Sequence, residues 1–276
     1  MGKSTTISST KLVGTVDNEI AERWHENFKN RQHPFITDII PGHDVKFGPY
    51  DSTGFITMLE EINNSVATGM RVYFACYEDT KDGTLNEELI PKNSKGIFAF
   101  GHMTLIYART IKKYSSNRRD DETYYIMKPD SASFTTISTE IASLWVSKYE
   151  KTIHATLSNI GNLGSSGETR QLWYSKAIMD ENITGLRSGT IDPGSLVTVF
   201  IGAYNANETI NCCNQNGRRT LLDVHNQLNL IFCTGDMPYT EQKDFGMVLS
   251  YLLGPGDDYD TGIPIPPASP GGDLLP

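Results

Sequence analysis

Two arginines hold the most promising chemistry in this chain. Arg71 and Arg109 each stand at the end of an apolar stretch and are flanked by tyrosines: Tyr73 and Tyr77 beside the first, Tyr107 beside the second. A guanidinium is a rigid fork of donors suited to a carboxylate or another anion. Arg71, Tyr73, Tyr77, Tyr107 and Arg109 are therefore the candidate ligand-binding set. The more ordinary use of such arginines is an edge charge that prevents aggregation, or a salt bridge to a neighbouring unit.

Other chemistry finds less support. The histidines are His25, His33, His43, His102, His154 and His225, and none makes an H-x-x-x-H or H-E-x-x-H pattern. His43 and His102 are flanked by Gly42 and Gly101, and a metal site would need them to converge from separate loops. They are read as ordinary polar loop residues, and no metal or cofactor is expected. Cys76 and Cys233 fall in apolar runs and read as small buried hydrophobes. Cys212 and Cys213 are adjacent in a polar loop. No C-x-x-C spacing occurs, which supports neither zinc nor a thioredoxin-like motif. Pairing Cys212 or Cys213 with His225 would require a base within reach and an oxyanion donor, which spacing does not show. No G-x-S-x-G elbow is present. Gly2-Lys3-Ser4-Thr5 matches the end of a phosphate-binding loop, without its upstream glycine and strand, and also fits an N-myristoylation pattern. Glu60-Glu61 and Glu87-Glu88 read as solvated pairs. So do Arg118-Arg119 and Asp120-Asp121, whose charges cancel.

Composition narrows the classes. The chain has 276 residues and a formal net charge of -9, which disfavours a nucleic-acid footprint. Hydrophobic residues make up 38% and charged residues 21%, as in a soluble globular protein. No apolar run approaches ~18 residues, so no membrane span is expected. The N-terminus lacks the apolar core of a secretory signal. A reducing, cytoplasmic setting is the expectation.

The elements that must position these residues occur twice. EIAERWHENF at residues 19–28 is matched by EIASLWVSKY at residues 140–149, so Trp145 follows Trp24 by 145 − 24 = 121 positions. Ile20, Trp24 and Phe28 step by four, the spacing of one helix face. Asp17 and Ser138 stand at the N-cap positions. A second helix is expected to carry Phe55, Leu59, Ile62 and Val66. Its counterpart is expected over residues 168–182, with Leu172, Lys176, Met179 and Ile183 on one stripe. Strands follow at residues 70–77 and 197–204, then at 103–108 and 228–233, all rich in β-branched and aromatic residues. Alternation sets Val72, Phe74 and Cys76 on one face, and Arg71, Tyr73 and Tyr77 on the other. Both faces are largely apolar, so both are expected to be covered. Tyr73, Tyr77 and Tyr107 correspond to Phe200, Tyr204 and Phe232.

W-x-x-N-F at Trp24 to Phe28, G-M-R-V-Y-F-A at Gly69 to Ala75 and T-L-I-Y at Thr104 to Tyr107 resemble a group of small uncharacterised bacterial proteins. These open with an aromatic-striped helix and continue to a G-(I/V)-R-(I/V)-Y-F-A strand. The resemblance covers roughly residues 15–112. In the second copy Thr198 replaces Arg71 and Gly202 replaces Ala75. The resemblance implies the unit and its boundaries, and no activity.

The expected fold is α+β, with two tandem copies of a helix-helix-strand-strand unit packed as a pseudo-two-fold dimer. Its parts are a first repeat over 1–114, a linker over 115–134 in which Tyr124-Tyr125-Ile126-Met127 could add a short strand, a second repeat over 135–253 with a terminal helix near 240–253, and a disordered Pro/Gly/Asp tail over 254–276. The expected function is a non-enzymatic ligand-binding or protein-interaction module, self-contained as an internal pseudo-dimer. Its partner would be an unknown protein or small molecule. Long loops at 78–101 and 205–227 are candidates for contact. The alternatives are a small-molecule hydrolase or transferase with a site between the repeats, and a subunit of a larger assembly.

Overall fold

A computed structural model describes residues 18–78, 88–92, 95–113, 116–128, 133–160, 163, 168–187, 196–206, 209–213, 219–223, 225–234, 246–249 and 263–264. Helix α1 (Asn18–Arg31) buries Ala21, Trp24 and Phe28 completely, so the four-residue aromatic step does mark its inner face. Helix α2 (His33–Ile39) follows, with Pro34 in its first turn, where no N–H is missed. Strand β1 (Lys46–Asp51) runs into α3 (Ser52–Ile62), whose start is capped by Asp51 accepting from the Gly54 N–H at 2.9 Å. Strands β2 (Ala67–Cys76), β3 (Met103–Lys113), β4 (Ser116–Met127) and β5 (Phe134–Ile137) close the first half.

After β5 the chain again runs helix, helix, strand, helix, strand. Helix α4 (Thr139–Tyr149) is capped by Ser138 as expected and continues through a π-helical turn, Glu150–His154, into α5 (Ala155–Asn159). Asp17, the corresponding cap of α1, lies outside the described residues. Strand β6 (Gln171–Ser175) leads into α6 (Lys176–Arg187), followed by β7 (Leu196–Ala203). A hairpin of β8 (Thr209–Cys213) and β9 (Arg219–Asp223) comes before β10 (Leu228–Thr234) and β11 (Gly246–Leu249). Two residues, Ile263–Pro264, form β12.

Apart from the β8–β9 hairpin, the described strands build two antiparallel sheets in which each half lends its first strand to the other. The larger has the order β12-β6-β2-β3-β4-β5, and the smaller β1-β7-β10-β11. Thus β6 of the second half flanks β2, and β1 of the first flanks β7. The helices are exchanged in the same sense: α1 lies on β7 and α4 on β2. Val72 faces Tyr107 across the β2–β3 pair, and Val199 faces Phe232 across β7–β10, which is the same register for matched residues. Phe74 N–H donates to Arg170 C=O at 3.1 Å, and Ile201 N–H to Val45 C=O at 3.1 Å. Trp145 meets Tyr77 edge-on at 5.0 Å, and Trp24 meets Tyr204 edge-on at 5.1 Å.

The core follows from the alternation of the strands. Val72, Phe74, Leu105 and Tyr107 of one sheet share a single apolar cluster with Val199, Ile201, Leu230 and Phe232 of the other, and α3 and α6 contribute Phe55, Leu59 and Met179. The opposite face of the larger sheet, with Tyr73, Ala75 and Tyr77, packs on Ala142, Trp145 and Val146 of α4. Both faces are covered, one by a helix and one by the shared core.

Four expectations are corrected. The helix expected over residues 168–182 begins only at Lys176, because Gln171–Ser175 is needed as a strand against β2, with Leu172 paired to Val72. The expected linker at 115–134 is mostly β4, whose pairing with β3 extends to the doublet of acidic residues. Within the expected terminal helix, Gly246–Leu249 is a strand that occupies the free edge of β10, and the remainder lies outside the described residues. Cys212 and Cys213 sit in a hairpin strand rather than a loop. Of the tail, only Ile263 and Pro264 are described, paired to Trp173 and Leu172, so the expected disorder lies outside the described residues. No helix among the described residues is long and apolar enough to cross a membrane.

Candidate functional site

The loop between α2 and β1 meets the far ends of β2 and β3 around a cleft of about 220 Å³. Its walls include His43, Phe47 and Tyr50 from the first segment, Tyr77 from the end of β2, and His102 and Thr104 from the start of β3. Backbone geometry places each wall. Gly42 turns the chain after α2 with φ 77°, and Gly101 turns it before β3 with φ 79°. Gly101 N–H donates to Tyr77 C=O at 2.8 Å, and Tyr77 N–H to His102 C=O at 3.0 Å, which fixes His102 beside the strand end. His33 Nε2 lies 2.9 Å from the His43 carbonyl and anchors the other side.

The two imidazoles converge at 5.7 Å between ring centroids. His43 is only 6% exposed, and neither of its ring nitrogens has a hydrogen-bond partner among the described residues. Burial, reinforced by His102 and His33, pushes its pKa down to about 3. The ring is therefore neutral at ordinary pH and offers one N–H donor and one acceptor. Leaving such groups unmet costs about 1–3 kcal/mol each. His102 is half-buried, and burial lowers its pKa too. Tyr77 is hydrogen-bonded to the Thr104 side chain, and burial pushes its hydroxyl up to about 12. Burial also raises Tyr50. Around the neutral His43 ring the cleft thus presents polar donors and acceptors on an aromatic wall, with the charged Asp44 and Lys46 also in its lining.

The chain matches no family model, no curated protein and no solved structure. The cleft has to be read from its own atoms.

The five residues expected to bind ligand do not form one site. Arg71 is fully buried and ion-paired with Asp120, which also accepts from the Tyr73 hydroxyl. Arg71 Nη1 lies 3.3 Å from that hydroxyl. The anion in this clamp is the chain's own Asp120. Tyr107 lies on the opposite sheet face, in the shared core, with its hydroxyl buried and unpartnered among the described residues. Arg109 is consumed by local contacts: Nε to Ile62 C=O at 3.1 Å, Nη1 to Asp121 at 2.7 Å, and Nη2 to Glu61 C=O at 2.9 Å and the Tyr125 hydroxyl at 3.0 Å. Tyr77 alone of the five lines the cleft. Asp120, read as solvated, is 1% exposed. His43 and His102 are the residues the sequence reading set aside; the available signal was a glycine before each, placing both at chain reversals. Among the described residues no group of three or more His, Cys, Asp or Glu side chains is placed to hold a metal.

Proposed function

We propose that this chain is a ligand-binding protein made of two tandem copies of one α+β unit, packed as a pseudo-two-fold dimer that exchanges its first helices and strands. The duplicated register, the paired Trp–Tyr contacts and the reciprocal sheet exchange support the architecture. The ligand is a small, uncharged polar molecule seated in the His43 cleft. The observation carrying this reading is the buried, neutral imidazole of His43, whose donor and acceptor both lack a partner among the described residues. The neutral His43 ring favours a ligand with a complementary acceptor and donor at that point, since it has no charge to pair with an ion; the charged residues of the wall, Asp44 and Lys46, are exposed and half-buried, where water meets them. At about 220 Å³ the cleft is smaller than the ~300–1,000 Å³ typical for drug-sized ligands, which sets the ligand size. A hydrolase or transferase reading would have to rely on His102, since His43 with a pKa near 3 is a poor proton acceptor at neutral pH.

Native mass spectrometry of gently purified protein tests this. A retained molecule should appear above the 30.7 kDa chain and be absent from His43→Phe. Acetamide, which carries one donor group and one acceptor, should raise the melting temperature of the wild type more than that of His43→Phe. Bare wild-type protein with identical acetamide responses in both would overturn the reading.

A further inference from the structure

The second half places different side chains at the positions that match the walls of the His43 cleft. Glu168 takes the place of His43: the His154 ring bonds the Glu168 carbonyl, as His33 bonds that of His43. Gln227 takes the place of His102, since Tyr204 N–H donates to Gln227 C=O at 3.0 Å as Tyr77 does to His102. The turn is kept as well, with Asn226 at φ 58° where Gly101 stands at φ 79°. Asn229 takes the place of Thr104, and Gly202 that of Ala75. This last pair of changes is coupled: a Cβ at position 202 would lie 2.2 Å from Asn229 Oδ1, so the amide occupies the space an alanine would fill.

These side chains are buried and incompletely satisfied. Glu168 is 1% exposed, and its Oε1 accepts from Thr169 N–H at 2.7 Å and Leu228 N–H at 2.8 Å. Its Oε2 has no partner among the described residues. Leu228, which holds the carboxylate, lies between Gln227 and Asn229, which alternation sets on one face. Those two residues are 0% and 2% exposed, and neither amide has a partner for its nitrogen or its oxygen among the described residues. Arg170, two positions after Glu168, is taken up by Glu150 at 2.9 Å.

We propose that Glu168, Gln227 and Asn229 form a second binding site, one that takes a primary ammonium group. An ammonium has three donors and no acceptor. Three buried oxygens without a partner among the described residues are the candidates to meet them: Glu168 Oε2, Gln227 Oε1 and Asn229 Oδ1, the last lying beside Gly202. A buried carboxylate is best balanced by a cation, and an anion or uncharged ligand would leave its charge unpaired. The assignment rests on the matched geometry of the halves and not on any ligand at His43.

Thermal melts at pH 8 and fixed ionic strength test it with methylammonium chloride against tetramethylammonium chloride, which has no N–H. Methylammonium should stabilise the wild type saturably and tetramethylammonium should not. Glu168→Gln should weaken the methylammonium response at least tenfold. Asn229→Thr, which installs the first half's residue, should weaken it several-fold, and His43→Phe should leave it unchanged. Equal responses to both ions in the wild type, or an undiminished response in Asn229→Thr, would overturn the assignment even if Glu168→Gln failed to fold. Loss of the response in His43→Phe would place the ammonium in the first cleft instead.

Discussion

His43 and Glu168 respond to pH in opposite directions. Burial pushes the folded pKa of His43 down to about 3, below its ordinary value of 6.5, so between those values the unfolded chain binds a proton that the folded chain does not. Stability from this group is complete above pH 6.5 and drains away as pH falls toward 3. Burial pushes the folded pKa of Glu168 up to about 7, above its ordinary value of 4.5, so its contribution is present below pH 4.5 and is lost as pH rises through 7. Urea unfolding at pH 6.5 and 4.5 should show the wild type losing about 2–3 kcal/mol more than His43→Gln over this interval. Parallel losses would mean that the His43 ring is solvated in the folded chain. None of this was visible in the sequence, because a glycine-flanked histidine is unremarkable until a second chain segment buries it. Asp120 was missed for a related reason. In the sequence its charge is cancelled by the neighbouring Arg119, but the strand register brings it to Arg71 instead.

At the scale of elements, the legible parts were those with internal periodicity. The aromatic step of α1 and α4, the Ser138 cap and the strands β2, β3, β7 and β10 all declare themselves locally. Strand β6 does not, since Leu172, Lys176, Met179 and Ile183 also fit a helical stripe; the open edge of β2 decides the matter, and that is a tertiary fact. The same holds for β11 on the edge of β10. The best test at this scale uses the two matched tryptophans. Trp24 and Trp145 are both fully buried, and Trp145 also donates its indole N–H to Glu78 C=O at 2.7 Å. Trp24→Ala and Trp145→Ala should each cost ~3–5 kcal/mol in chemical denaturation. A nearly neutral result at either position would mean that the helix is not seated on its sheet.

For the whole molecule, neither half is a complete folding unit. The first half lacks the strand and the helix that cover β2, and the second lacks those that cover β7. Residues 1–137 and 138–276 expressed separately should therefore be unfolded or aggregated by circular dichroism and size exclusion. Expressed together, they should co-purify one to one with the melting behaviour of the joined chain. Cooperative folding of either piece alone would contradict the exchange.

That exchange also sets a timetable during synthesis. Helix α1 ends at Arg31 and the strand it covers begins at Leu196, so 196 − 31 = 165 residues separate them. At ~5–20 residues per second, the ribosome takes roughly 8–33 s to supply that strand. For this interval the nascent chain carries Trp24 and Phe28 with no surface to bury them. The newborn protein must either shelter its first helix temporarily or hold it back from mispairing until nearly three quarters of the chain has been made.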